Sequence, residues 1–140
     1  MDDCAPVTGL PALDLPAVTG LTHTVLICDD APYMRTLLRD ILERGGLEVV
    51  GEAANGLEAV VKYKAVRPDL VTMDIVMPEM GGLEAVRAIV AHDARARILM
   101  CSAMEESGLV TEALGAGASG FITKPFKASG VLEAIKRVIG

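Results

Sequence analysis

The chain has 140 residues, 51% of them hydrophobic, which suits one globular domain with a buried core and is too apolar for a disordered chain. Its 13 Lys and Arg residues against 19 Asp and Glu residues give a net charge of −6, which disfavours DNA binding because a phosphate backbone requires a basic stripe. No apolar run approaches the ~20 residues that span a bilayer, and the acidic start is the reverse of a signal peptide, so we expect neither membrane insertion nor secretion.

The N-terminal part of the chain differs in composition from the rest. Over residues 1–22, three prolines space out small and apolar residues without a helical or strand period. This predicts a flexible N-terminal extension, followed by one domain over residues 23–140. An alternative for the apolar stretch 10–16 is that it docks on another surface.

From residue 23 onward, short apolar runs alternate with segments whose apolar residues recur at helical spacing. Strands are predicted at 25–28, 48–52, 70–73, 97–101 and 120–123. Gly45-Gly46 is predicted to stop the first helix, and Asn55 to cap the second. The apolar face of the second helix is predicted to consist of Leu57, Val60, Val61 and Ala65. Five strand–helix units predict an α/β fold with a parallel sheet and helices on both faces.

Polar residues follow or end four of the five predicted strands. Asp29 and Asp30 come after the first, Asp74 after the third, Ser102 after the fourth and Lys124 after the fifth. In a parallel sheet these ends share one edge, where ligands of such folds bind. Three converging carboxylates repel one another unless a cation joins them, and Mg²⁺ suits carboxylate oxygens. The set contains the parts for phosphoryl transfer, namely a carboxylate nucleophile, a metal site, an ammonium and a hydroxyl.

Each of these residues also has an ordinary structural explanation. Asp29 and Asp30 could cap the following helix, Asp74 and Lys124 could lie in solvated turns, and Ser102 could be structural. No GxGxxG, GxxxxGKS or GxxxxGKT motif follows any strand, which disfavours nucleotide binding. The phosphoryl-transfer interpretation is favoured because compatible groups occur together at the same strand ends.

Four motifs also connect the chain to a known family. They are Asp29-Asp30 after Val-Leu-Ile-Cys, Met-Asp-Ile-Val-Met-Pro-Glu-Met-Gly-Gly at 73–82, Leu-Met-Cys-Ser-Ala at 99–103 and Gly-Phe-Ile-Thr-Lys-Pro-Phe at 120–126. With these motifs in this order, the chain from residue 24 to 140 resembles the response-regulator receiver domain. The resemblance implies a flavodoxin-like, CheY-like sheet of five parallel strands in the order 2-1-3-4-5.

The resemblance also implies roles at the metal and acceptor positions. Asp74 is implied as the phosphoacceptor. Asp29 and Asp30 are implied as Mg²⁺ ligands, together with Asp74 and the backbone carbonyl of Val76. Lys124 is implied as the lysine that pairs with the phosphoryl oxygens, and its bond to the following proline is implied to be cis.

Further positions are implied to carry the conformational switch of the domain and to set the rate at which its phosphoryl group is hydrolysed. Ser102 matches the switch hydroxyl, and Phe121 matches the aromatic residue that changes rotamer with it. Val76 and Met104 are apolar at the two positions that tune hydrolysis, so we expect a long phosphoryl lifetime because neither orients an attacking water.

The expected function is that of a stand-alone response regulator of a chemotaxis-type or relay-type two-component system. It is expected to accept a phosphoryl group from a histidine kinase, CheA-like or other, with Mg²⁺. It is not expected to be an enzyme, except in catalysing its own phosphorylation and slow dephosphorylation. Output is expected through protein contacts on the face of the fourth helix, fifth strand and fifth helix, around Leu109, Ala113, Phe121 and Phe126.

Two other functions compete with this expectation. Aspartyl phosphatases need a second Asp two residues beyond the nucleophile, where this chain has Val76. A scaffold that never uses its phosphosite is disfavoured because every site residue is retained. The cysteines, Cys4, Cys28 and Cys101, show no metal-like spacing, and two of them lie in apolar runs, which favours a reducing cytoplasm.

Overall fold

A computed structural model describes residues 22–139. The expectations for the N-terminal extension and for the stretch 10–16 concern residues that lie, apart from Thr22, outside the described part of the chain. No helix among the described residues combines the length and apolar character needed to cross a membrane.

Strands and helices alternate along the described chain. They are β1 (Thr24–Cys28), α1 (Pro32–Arg44), β2 (Glu48–Ala53), α2 (Gly56–Val66), β3 (Leu70–Asp74), α3 (Gly82–His92), β4 (Ile98–Ser102), α4 (Ser107–Ala116), β5 (Gly120–Thr123) and α5 (Ala128–Ile139). A 3₁₀ turn (Met104–Glu106) leads into α4. The strand ends differ from the predicted ones by at most one residue.

All five strands pair in parallel, in the order β2-β1-β3-β4-β5. The predicted fold class and strand order are therefore confirmed. Every residue of β3 and β4 is buried, because both faces of the sheet are covered by helices. These two strands and β1 form the middle of the sheet, and acidic residues lie at the carboxyl ends of β1 and β3.

The helices cover the two faces of the sheet unequally. On one face, α2, α3 and α4 pack against the sheet through residues such as Ala59, Ile89 and Val110. On the other face, α1 and α5 contribute Leu42 and Val131 among others. The amphipathic pattern of α1 and α5 places their apolar stripes inward, so tertiary burial rather than local propensity stabilises them.

The predicted helix signals at Gly45-Gly46 and Asn55 are confirmed. α1 ends at Arg44, and Gly46 has a φ of 89°, a left-handed value that glycine adopts without strain. The Asn55 side chain accepts a hydrogen bond from the Glu58 N–H at 2.9 Å, which caps α2.

The predicted apolar face of α2 is wrong except at Val60, which packs against the core. Leu57 and Val61 are 49% and 67% exposed, whereas Ala59 and Tyr63 face the core. Ala65 is also exposed, and Val60 is half-buried. Gly56 and Ala59 on the inner side are small and allow close approach to the rest of the fold. The Tyr63 ring is buried on the same side, and its hydroxyl donates to Asp93 Oδ2 at 2.8 Å beyond α3. Close contact on the small-residue side therefore prevails over burial of the larger aliphatic side chains.

The segment after β3 folds back tightly before α3 begins. The Gly82 N–H donates to the Ile75 carbonyl at 2.8 Å, and the Gly56 N–H donates to the Met80 carbonyl at 2.8 Å. A Cβ built on Gly82 would overlap the Asp74 carbonyl oxygen and lie 3.0 Å from the Ile75 Cα. Glycine at this position lets the first residue of α3 lie directly against the end of β3.

Candidate functional site

The polar residues predicted from the strand ends lie at the carboxyl edge of the sheet. Asp29 and Asp30 directly follow β1, Asp74 ends β3, Ser102 ends β4 and Lys124 directly follows β5. The ends are level with one another because β3 pairs with β1 on one side and with β4 on the other. Asp29, Asp74 and Ser102 are buried, whereas Asp30 is exposed.

The Lys124 ammonium connects two of the carboxylates. Its Nζ donates to Asp29 Oδ2 at 3.4 Å and to Asp74 Oδ1 at 3.2 Å. Its backbone N–H donates to the Ser102 carbonyl at 2.8 Å, and the peptide bond from Lys124 to Pro125 is cis, as the resemblance implied. Burial lowers the pKa of Lys124, but the two carboxylates outweigh burial and raise that pKa above its ordinary value. The ammonium therefore stays charged.

The Asp74 carboxyl is unusually basic. Burial, reinforced by the Asp29 carboxylate, raises the pKa of Asp74 to about 6, although Lys124 acts in the opposite direction. The carboxylate is thus mostly ionised at neutral pH and is more basic than an ordinary aspartate. Both properties suit a nucleophile.

Three carboxylates form a cluster that fits a hard cation. Among the described residues, Asp29, Asp30 and Asp74 each offer one oxygen, and these oxygens all lie within 4.8 Å of one another. The donors are all carboxylate oxygens, which is the ligand chemistry that Mg²⁺ prefers over softer metals. A divalent ion would also offset the repulsion that raises the pKa of Asp74.

The two positions that are predicted to affect phosphoryl hydrolysis lie at the protein surface. The side chains of Val76 and Met104 are 57% and 81% exposed. The role of the Val76 carbonyl as a metal ligand and the expected long phosphoryl lifetime both stay predictions.

The predicted switch residues line one groove. Ser102, which is buried, and Phe121, which is 50% exposed, both line a groove of about 340 Å³ together with residues of α4. Around the predicted partner face, Leu109 is exposed, but Ala113 and Phe126 are buried. Those two residues are core rather than contact residues, because they pack against the sheet from α4 and from the segment before α5.

One residue beside the site was not predicted from the sequence. Arg35, in α1, donates from Nη1 to the Asp29 carbonyl at 2.6 Å and pairs through Nε with Glu52 Oε1 at 2.9 Å. Its only sequence signal is its position six residues after Asp29 in the following helix, which is too weak to single out one arginine.

Comparison with known proteins shows the family of the chain. The family model described as the response regulator receiver domain matches residues 25–136. The chain therefore belongs to the response regulator receiver domain family.

Two chemotaxis proteins are similar to this chain over most of their length. The chemotaxis protein CheY of Bacillus subtilis is 55% identical over 119 residues, which cover 85% of this chain and 99% of that protein. The CheY of Thermotoga maritima is 54% identical over 114 residues, covering 81% of this chain and 95% of that protein. The chain is therefore a CheY-like receiver domain, and such domains are signalling proteins.

A solved structure shares the fold of the chain. It is the CheX–CheY–BeF₃–Mg²⁺ complex from Borrelia burgdorferi, with a TM-score of 0.83 and 38% identity, covering 87% of this chain and 92% of that chain. The match supports the predicted fold.

Proposed function

We propose that the protein is a stand-alone response regulator that accepts a phosphoryl group on Asp74 from a histidine kinase. One observation carries this proposal: a buried carboxylate at the carboxyl edge of a parallel sheet, 3.2 Å from a lysine ammonium and clustered with two further carboxylates. The similarity to chemotaxis proteins named CheY favours a chemotaxis-type pathway with a CheA-like kinase. Buried, free Cys28 and Cys101 suit the reducing cytoplasm in which we place this exchange.

The geometry of the site supports the following transfer step. An Asp74 oxygen attacks the phosphorus, the O–P bond forms as the P–N bond to the kinase histidine breaks, and the imidazole leaves with that electron pair. Lys124 lies where it can bind the incoming phosphoryl oxygens, exchanging a contact with Asp74 for one with the new group. We assign Asp29, Asp30, Asp74 and the Val76 carbonyl to Mg²⁺, which supplies positive charge against the phosphoryl oxygens.

The experiment that tests the proposal follows phosphorylation by intact mass. With acetyl phosphate and Mg²⁺, we expect the wild-type protein to gain one phosphate, and to gain none in EDTA. Asp30→Ala is expected to slow phosphorylation by about 100-fold or more, because several kcal/mol of charge stabilisation is lost with the metal.

The matched control for Asp30→Ala is Asp40→Ala, which removes an exposed carboxylate of α1 that pairs with Arg44. It is expected to behave as wild type. No phosphate on the wild-type protein in Mg²⁺ would overturn the proposal and favour the scaffold. Equal phosphorylation of Asp30→Ala and wild type would show that the acid pair does not hold the metal.

We further propose that phosphorylation switches the face formed by α4, β5 and α5. The phosphoryl group adds negative charge and acceptor oxygens that can draw the Ser102 hydroxyl towards Asp74. This movement empties part of the groove that Ser102 shares with Phe121, and the half-exposed ring can then turn inward. A packed aromatic ring has few discrete positions, which makes it a two-state element.

A pair of serine variants tests the switch by NMR with beryllofluoride as the phosphoryl mimic. Ser102→Ala is expected to bind the mimic yet lose most of the shift changes at Phe121. Ser107→Ala removes an exposed hydroxyl from the same groove and is expected to keep them. If Ser102→Ala shows the wild-type changes at Phe121, the serine does not control the ring.

A further inference from the structure

The main chain of Asp29 is held from both sides by β2. Its N–H donates to the Ala53 carbonyl at 2.9 Å. Its carbonyl accepts from Arg35 Nη1 at 2.6 Å, and Arg35 is itself fixed by the Glu52 carboxylate at 2.9 Å. Neighbouring residues of β2 therefore fix the two peptide groups that flank Asp29, one directly and one through an arginine.

The second of these peptide groups is the one that joins the two acids. The carbonyl that Arg35 holds belongs to the peptide bond between Asp29 and Asp30. Asp30 is exposed and leads into α1, so the plane of this peptide sets the direction in which its side chain leaves the backbone. Asp29 by contrast is buried, and its own carboxylate is bonded to the Ala31 N–H at 2.9 Å and to Lys124.

The arginine is well placed to keep this peptide in one orientation. Its side chain is 18% exposed, and its guanidinium bridges the Asp29 carbonyl, just after β1, and the Glu52 carboxylate in β2. A planar guanidinium holds such a bridge with less freedom than a lysine ammonium. Glu52 also binds Arg39, at 2.8 Å, but Arg39 makes no hydrogen bond to the Asp29–Asp30 peptide.

We infer that Arg35 is a positioning residue for the metal site: it orients the Asp29–Asp30 peptide so that the three carboxylates are arranged for a divalent cation before the cation arrives. The inference rests on the proposed function, since it concerns the same cluster. Groups that orient metal ligands commonly change metal affinity by about 10-fold or more when removed.

The charge of Arg35 and its positioning role change Mg²⁺ affinity in opposite directions, so a measurement of that affinity distinguishes them. Arg35 is a cation near a cation site, so its charge alone weakens Mg²⁺ binding. Removal of that charge should tighten binding if electrostatics is the whole effect. Loss of the carbonyl contact should weaken binding, because the ligands must then be ordered by the metal itself.

Arg39 offers a matched control. It lies on the same helix and pairs with the same Glu52, but its hydrogen bonds go to Glu52 and Glu43 instead of to the Asp29 carbonyl. Arg39→Ala therefore removes an equal charge and an ion pair to the same carboxylate while leaving the Asp29–Asp30 peptide bonded.

The experiment measures Mg²⁺ affinity by calorimetry for the wild type, Arg35→Ala and Arg39→Ala. We expect affinity to fall about 10-fold in Arg35→Ala. In Arg39→Ala it should be unchanged or slightly higher. An Arg35→Ala protein that binds Mg²⁺ as well as Arg39→Ala overturns the inference. Absence of Mg²⁺ binding by the wild type is a different result, which overturns the proposed metal site.

A second readout needs no metal. In metal-free protein, the Asp30 amide reports directly on the peptide that Arg35 holds. Its NMR signal is expected to shift or broaden strongly in Arg35→Ala and to stay in place in Arg39→Ala. An unmoved Asp30 amide in Arg35→Ala overturns the inference whatever the metal does.

Discussion

Asp74→Asn is expected to abolish phosphorylation by acetyl phosphate while leaving the fold intact. The amide has nearly the shape of the carboxylate, but it lacks the negative oxygen that attacks phosphorus. Intact-mass measurement in Mg²⁺ should show no phosphate on the variant under conditions that fully label the wild type. Labelling of the variant at the wild-type rate would show that another residue is the acceptor.

The same substitution is expected to stabilise the metal-free protein at neutral pH. Folding raises the pKa of Asp74 from 3.8 to about 6, so the folded state holds the proton more tightly than the unfolded state. Stability contributed by the protonated carboxyl is therefore present below about pH 4 and is lost as the pH rises towards 6. Since each pKa unit corresponds to about 1.4 kcal/mol, Asp74→Asn should gain up to about 3 kcal/mol at pH 7.5.

Urea unfolding followed by circular dichroism measures this gain, since the chain has no tryptophan. The difference between variant and wild type should shrink to about 0.5 kcal/mol at pH 4, where Asp74 is protonated in the folded wild type and about half protonated in the unfolded one. A gain of equal size at pH 4 and pH 7.5 would show that removal of the charge is not its cause. The measurement also establishes that lost labelling does not come from unfolding.

Gly82→Ala is expected to lower the free energy of unfolding by about 3 kcal/mol. The added Cβ overlaps the carbonyl oxygen of Asp74 and lies 3.0 Å from the Asp74 carbonyl carbon. These are backbone atoms of β3, so they cannot move aside as a side-chain tip would. Either α3 shifts away from the sheet or the end of β3 is displaced, and the second change also moves the acceptor carboxylate.

Gly108→Ala is the matched control, because Gly108 also lies near the start of a helix but a Cβ there meets nothing within 4 Å. It is expected to leave stability unchanged or to raise it by up to about 0.5–1 kcal/mol, since alanine loses less conformational freedom on folding. The free energies come from urea unfolding of both variants. A Gly82→Ala protein as stable as Gly108→Ala would show that α3 is not packed tightly on β3.

The sequence by itself determined the fold and which polar residues meet at one edge of the sheet. Alternation of apolar runs with helical spacing is a local property, and it predicts strand–helix units whose order then implies a parallel sheet. Once the strands are parallel, residues next to their carboxyl ends must lie at one edge. Asp29, Asp74 and Lys124 could therefore be grouped although 95 residues separate the first from the last.

Only the tertiary structure decided how closely the elements approach and which atoms meet. α2 turns Ala59 and Tyr63 inward instead of Leu57 and Val61, because packing against a neighbour depends on the neighbour's shape and not on hydrophobicity alone. The raised pKa of Asp74 arises from burial and from Asp29 across the sheet edge, and neither is visible in spacing. The Arg35 contact to a main-chain carbonyl likewise leaves no pattern in the sequence, because every residue carries that carbonyl and only the folded chain brings one of them within reach.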